Sequence, residues 1–442
     1  MDHLTASWTA LLEMFRPCFR AEVFQTFSLM LPAWIACLGR RTISRVWETT
    51  GQSDLRCHCP AFRLFSEAQW NWDELGRILL VRLLAVCVPG TRVWLVVDDT
   101  LCHKRGAKVA FGGIYLDAVL SSKRHKVFRF GLNWVTLGLV VQLPFRPDRP
   151  LCLNLLWRLA RKKGSADAGS HRTKPQLARE MVDVVAGWLP GHRLIVLGDG
   201  AYMGKALLRG LPEHVSAIGP IHRKAVLTHP LPAGGQPPTP ERKKGAVWTT
   251  PAAALADATG PWHDLRLHHA KGVKQLRVQV LGPCCWYASA KERPLQVVLV
   301  RDPATTGKVW RSEALLSLDM TLSPAEVING YLQRWSVEVA YAESKQQLGL
   351  HDPMVWSAAA VERAHPMAWF AGSLVVLWYA TDGQSEPAAR RHRPWYKDRV
   401  EPTFADMLWS SRLHLWSSWL ESEPSKREEK WVWLLEYLAT AA

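Results

Sequence analysis

Long apolar runs are missing from this chain. The best two, Ile78–Val88 (broken by Arg82) and Met367–Ala380, fall short of the roughly 18 apolar residues a membrane-spanning helix needs. The first residues mix Asp2, His3 and Glu13 with apolar ones, without the basic start and small-residue cleavage site of a secretory leader. No membrane association is therefore expected, and a cytoplasmic location is. Paired metal-binding cysteines are also missing. The nine cysteines are scattered, which suits reduced, mostly buried thiols. Cys57-His58-Cys59 and Cys284-Cys285 have no second pair at zinc-finger spacing, so structural zinc is not expected. No GxxxxGK[ST] loop occurs, so ATP is not implied, and the histidines show no nucleophile–base arrangement. Acid is scarce. Against 55 Lys and Arg stand 39 Asp and Glu, a formal net charge of +16. A soluble chain this basic is expected to meet a polyanion.

Apolar residues are plentiful at 48% of 442, enough for a sizeable core and about two to four domains. Residues 1–88 read as helices, with apolar spacing through Leu11–Phe24 and Leu75–Leu84. Arg40 and Arg41 precede a Thr42-capped short helix, as in a compact helical DNA-binding region or an ordinary helical domain with a basic surface. A different texture begins near residue 89. Strands are expected at Arg92–Val97, Trp134–Leu143, Leu151–Trp157 and Leu194–Leu197, with helices from Thr173 to Trp188 and over Ala201–Leu208. That order indicates an α/β fold with a mixed sheet. Residues 215–320 read as a β-rich insertion, with a basic loop over Thr228–Gly245 and strands at Leu276–Leu281, Cys285–Ala288, Gln296–Arg301 and near Trp310–Leu318. Ser323-Pro324-Ala325-Glu326 is a capping box that opens a helix expected to reach Leu350. A further helix is expected over Val361–Tyr379, a basic hinge over Gly383–Arg393 and a helical tail to Ala441. The division is thus 1–88, then 89–214 with 321–380, then the 215–320 insertion, and 381–442.

Three acids stand out. Asp98 and Asp199 each end a short apolar strand, the place where sites gather in α/β sheets. Either alone reads equally as a turn residue. Side by side they would repel unless they bound a cation, and Mg²⁺ suits such oxygen ligands. Asp99 adjoins Asp98, and because strand side chains alternate faces only one of them can point at a shared site. Glu338 is the third acid. At about 100° per residue on an α-helix, Tyr331, Arg334, Glu338 and Lys345 fall within about 60° of arc. Such a face is either a solvated, ion-paired surface or a metal ligand flanked by phosphate-binding groups.

Tyr331-x2-Arg334-x3-Glu338-x6-Lys345 resembles the Y-x2-R-x3-E-x6-K signature of bacterial insertion-sequence DDE transposases. Asp98-x-Thr100 resembles their first motif, and Gly198-Asp199-Gly200-Ala201-Tyr202 their second. The gap between Asp199 and Glu338 is large enough for the β-strand insertion typical of that branch. The resemblance covers about residues 90–380. It implies a ribonuclease H-like catalytic domain in which Asp98, Asp199 and Glu338 hold two Mg²⁺ ions, with Mn²⁺ able to substitute. It implies cleavage at transposon ends and transfer of the freed 3′-hydroxyls into target DNA. Tyr331, Arg334 and Lys345 would contact phosphates near the cleaved end, and Trp310 would stack on a flipped base. Basic clusters around Lys104 and Arg105, Lys123 and Arg124, and Arg161 to Lys163 would follow the duplex backbone. The implied partners are double-stranded DNA and a second copy of the chain in a synaptic dimer, and the implied location is nucleoid-associated. A catalytically silent regulator and a ribonuclease H-like nuclease that does not join strands are the alternatives.

Overall fold

The run Arg92–Val97 does not stop at the first acid. It continues as one strand, β1 (Arg92–His103), with Val93, Leu95, Val96 and Val97 fully buried. The computed structural model describes residues 4–53, 56–106, 108–164, 171–231, 244–257, 259–269, 272–302, 314–385, 395 and 401–439. Trp310, most of the Thr228–Gly245 loop and most of the Gly383–Arg393 hinge lie outside these residues. No described helix is long and apolar enough to cross a membrane.

Strand β2 (Gly113–Leu116) and strand β3 (Phe128–Leu143) follow, then β4 (Arg146–Ala160) and β5 (Arg193–Leu197). Strand β3 runs antiparallel to β1, and β4 antiparallel to β3. Strand β5 runs parallel to β1, and β6 (Val215–Pro220) parallel to β5. The order β4-β3-β1-β5-β6 is a ribonuclease H-like mixed sheet in an α/β fold. The strands centred on β1 are buried on both faces, which explains their near-continuous apolar runs.

Val215–Pro220, assigned from the sequence to the insertion, is therefore the fifth strand of this central sheet. The insertion's strands extend the same sheet. Strand β7 (Leu227–Thr228), β8 (Val247–Thr249), β9 (His263–His269), β10 (Gly272–Cys285), β11 (Pro294–Arg301) and β12 (Ala314–Ser317) join it where β12 pairs with β6. The strand expected at Cys285–Ala288 is absent: Cys285 ends β10 and Tyr287–Ala290 is a helical turn.

Prolines divide two helices that apolar spacing alone reads as continuous. Pro366 separates Ala358–Ala364 from Met367–Thr381, and Pro424 separates Phe404–Glu421 from Arg427–Ala439. The terminal helices do not stand apart from the sheet. Trp8 stacks on Trp378 at 5.4 Å, and Trp72 meets Trp157 and Phe370 at 5.0 and 5.2 Å. The Trp34 indole donates to the carbonyl of Leu348, 3.0 Å away in the segment after the Glu338 helix. Residues 4–36 and the helix Met367–Thr381 thus share one tryptophan-rich core.

Candidate active site

Parallel pairing of Val96 with Leu197 brings the ends of β1 and β5 side by side. Asp98 lies on β1, and Asp199 opens the turn after β5, where its Oδ1 accepts the Ala201 amide at 2.9 Å. The two charges are close enough for Asp199 to raise the pKa of Asp98. Burial is the larger cause and pushes Asp98 up to about 7, although the Asp99 amide and the Arg334 guanidinium pull it down.

The third acid arrives from the helical segment after β12. The Ser323 capping box forms as expected, with Ser323 and Glu326 bonded to each other's backbone amides. The helix it opens is not continuous to Leu350. It ends at Gln333, and a second helix runs from Ser336 to Gln347. Between them the amides of Arg334, Trp335, Val337 and Glu338 each bond the carbonyl three residues back, which tightens the chain at the break. Arg334 there donates through Nη1 to Asp98 Oδ2 at 3.0 Å and through Nη2 to Glu338 Oε1 at 2.9 Å. One guanidinium thus clasps carboxylates that lie 240 positions apart in sequence, beside a third. The Arg334 and Asp98 side chains are only 14% and 15% exposed, so that bond is not a solvated surface pair, whereas Glu338 stays 38% exposed.

Asp99 points to the opposite face. It accepts Tyr202 Oη at 3.0 Å and pairs with Lys174 Nζ at 2.5 Å. Alternation along β1 therefore separates the two aspartates, and Asp98 is the one facing Arg334 and Glu338. Sequence reasoning assigned no role to Tyr202 or Lys174, which reach Asp99 from the turn after β5 and from the helix Lys174–Trp188. It also missed Tyr341, one turn beyond Glu338, whose hydroxyl bonds Thr136 Oγ1 at 2.7 Å directly across from Asp98. The i, i+3 relation of Tyr341 to Glu338 was a usable signal.

The cation expectations divide. Tyr331 is half-buried, with its ring 5.9 Å from the Arg334 guanidinium carbon. Lys345 is half-buried beside Cys102 and Asp117, and burial lowers its pKa. It makes no hydrogen bond or ion pair among the described residues. Arg40, Arg105, Lys123 and Arg124 are exposed. Two expectations need correction. Arg41 is 4% exposed, and its guanidinium donates to the carbonyls of Trp34 and Cys37, the end of the helix Ala21–Ala36, so it is a helix cap rather than a phosphate contact. Lys104 Nζ is taken by the carbonyls of His351 and Pro353 at 2.7 and 2.9 Å.

Among the described residues, no three His, Cys, Asp or Glu side chains are grouped closely enough to hold a metal ion as they stand. The donor chemistry nonetheless fits a hard cation, since the site is built of carboxylates and a guanidinium already occupies a cation's position between Asp98 and Glu338.

The fold is a ribonuclease H-like mixed sheet with Asp98 on β1 and Asp199 just after the end of the adjoining β5, in a basic chain. The model of the DDE superfamily endonuclease family matches residues 14–276, and this chain belongs to that family. Enzymes of this family act on DNA and generally use divalent metals. The match includes Asp98 and Asp199 but stops before Tyr331, so Glu338 and its neighbours stand on geometry and on their spacing. A comparison with the curated proteins finds no match.

Proposed function

We propose that this chain is a DNA transposase of the insertion-sequence type, which cuts at transposon ends and joins the freed strands to target DNA. The observation that carries this reading is the Arg334 clasp, which draws Glu338 to Asp98 although the family match ends well before it. Asp98, Asp199 and Glu338 are the residues that would hold Mg²⁺, or Mn²⁺ in its place. When bound, such ions activate a water or a 3′-hydroxyl and stabilise the leaving oxygen of a phosphodiester.

The chain's own residues do the positioning. Arg334 holds the carboxylates together until a phosphate competes for its guanidinium, which suits it to hand the site over when DNA arrives. Lys345, two turns beyond Glu338 on the same helical face, offers an amine with no hydrogen bond or ion pair among the described residues, and Tyr331 flanks Arg334. Arg40, Arg105, Lys123 and Arg124 extend the contact to the duplex backbone, and Trp310 is kept as the residue that stacks on an extruded base. Asp99, tied to Tyr202 and Lys174, buttresses β1 from behind. A homodimer would hold two DNA ends, in the nucleoid.

The test is strand transfer. A duplex with a recessed, pre-cleaved transposon end is incubated with supercoiled plasmid, Mg²⁺ and the full chain. Joined products in which the labelled 3′ end is covalently linked to plasmid support the transposase. Plasmid nicking without any joined product identifies a nuclease that does not join strands.

A further inference from the structure

Strands β2 and β3 continue past the body of the sheet as a two-stranded arm, residues 113–131. The last pair that β1 makes with β3 is His103 to Gly131, and beyond it β3 pairs only with β2. The arm is apolar on one face and rigid at its tip. Ile114 pairs with Phe130 and Leu116 with Phe128, so these four share a face, and Ile114, Leu116 and Phe128 are 58%, 44% and 61% exposed. At the tip Val119 is 85% and Leu120 50% exposed. They do not dangle. Asp117 Oδ1 accepts both of their amides, and Ser121 and Ser122 close the turn by bonds to Val127 and His125.

The arm is also cationic. Lys123, Arg124 and Lys126 follow the tip in an exposed row, and Arg129 is exposed beside them. Its one carboxylate, Asp117, is buried and bonded to His103 Nε2 at 2.6 Å. That bond anchors the arm to the strand that carries Asp98. The His103 amide in turn donates to His351 Nδ1, just after the Glu338 helix, and Lys345 lies within reach of Asp117's charge. From the carboxylates the track therefore runs through Arg334 and Lys345 to the arm. Phe128 stands eight residues along β3 from Thr136, the partner of Asp98. At about 3.3 Å per residue this is about 26 Å, or seven to eight base pairs of duplex at about 3.4 Å each.

We propose that this arm grips duplex DNA from about seven to eight base pairs outward of the reacting phosphate and, at its tip beyond Phe128, drives Val119 and Leu120 into a base step as a wedge that bends the helix. It deepens, and rests on, the reading of the chain as a DNA-acting enzyme. Duplex DNA is favoured because apolar side chains held proud of a rigid β-arm and flanked by cations match the requirements of wedge insertion: the cations hold the backbone while the aliphatic groups occupy the opened step. Within residues 113–131, all of them described, no carboxylate is exposed to repel a polyanion.

The test uses the full chain, without metal, on a 40-base-pair mixed-sequence duplex carrying a dye at each end. Wild-type protein is expected to shorten the end-to-end distance and to raise the reactivity of thymines to permanganate along the bound duplex. V119S/L120S, exposed positions whose change leaves near-UV circular dichroism intact, is expected to lose both effects while affinity falls less than about tenfold. K123Q/R124Q/K126Q is expected to lower the slope of log affinity against log salt by about 2 to 3. Bending that is absent in wild type or undiminished in V119S/L120S overturns the wedge, and an unchanged salt slope overturns the grip. Bending does not require chemistry. A chain that bends DNA through the arm but never joins strands refutes the transposase reading alone, and one that joins strands without arm-dependent bending refutes the arm alone.

Discussion

At the scale of the residue, Arg334 is the most informative side chain. It bonds Asp98 and Glu338 from inside the protein, where burial above all pushes the Asp98 carboxyl up to about 7 even though the guanidinium pulls it down. A cation approaching those carboxylates must displace it. Arg334→Gln should therefore tighten Mn²⁺ binding to the DNA-free protein, by about tenfold for a partly buried ion pair worth about 1–1.5 kcal/mol, while DNA binding weakens. Electron paramagnetic resonance of free Mn²⁺ measures the first and a filter-binding titration the second. Unchanged or weaker Mn²⁺ binding would mean that the guanidinium does not stand where a metal goes. The sequence made Arg334 legible as a member of a polar helical face, but only as a phosphate contact. Its grip on Asp98 bridges two distant segments, and no local pattern records that. Arg41 misled for the same reason. Two adjacent arginines before a capped helix look alike in sequence, yet one turns inward to cap the helix Ala21–Ala36 and the other stays in solvent.

At the scale of the element, the site depends on how closely β5, β6 and the Asp199 turn pack. Gly219 on β6 faces that turn, and a Cβ there would lie 2.5 Å from the Gly198 carbonyl oxygen and 2.5 Å from Met203 Cγ. Backbone cannot yield cheaply, so Gly219→Ala should shift the residue preceding Asp199. Activity is expected to fall at least tenfold, at a stability cost of about 1–3 kcal/mol. Gly191→Ala, where a Cβ meets nothing within 4 Å, is the control and should change neither. Activity per mole of folded protein with a urea melt checks both variants; equal loss in the two would remove the steric explanation. Strands were the legible elements here. Apolar runs ending in Asp98-Asp99 and Asp199 announced two buried strands, and their pairing followed. Interruptions were less legible. The break at Arg334–Trp335 carries no proline or glycine, whereas the breaks at Pro366 and Pro424 could have been read directly.

At the scale of the molecule, one sheet runs from the arm at β2 through the carboxylates to the insertion, and the terminal helices share the tryptophan core behind it. The mixed α/β character and the β-rich insertion were visible in the order of strand and helix patterns. The shared core was not, because Trp8–Trp378 and Trp34–Leu348 join the two ends of the chain. The claim on which everything else depends is that Asp98, Asp199 and Glu338 form one metal-dependent site. The direct measurement is Mg²⁺- or Mn²⁺-dependent nicking of an end-labelled duplex carrying the transposon terminus, by wild type and by D98N, D199N, E338Q and the exposed control E292Q. The expected result is nicking at the terminus by wild type and E292Q, and a loss of at least a hundredfold in each of the other three, with circular dichroism unchanged. Nicking by E338Q at the wild-type rate would contradict the shared site, however well Arg334 joins its carboxylates.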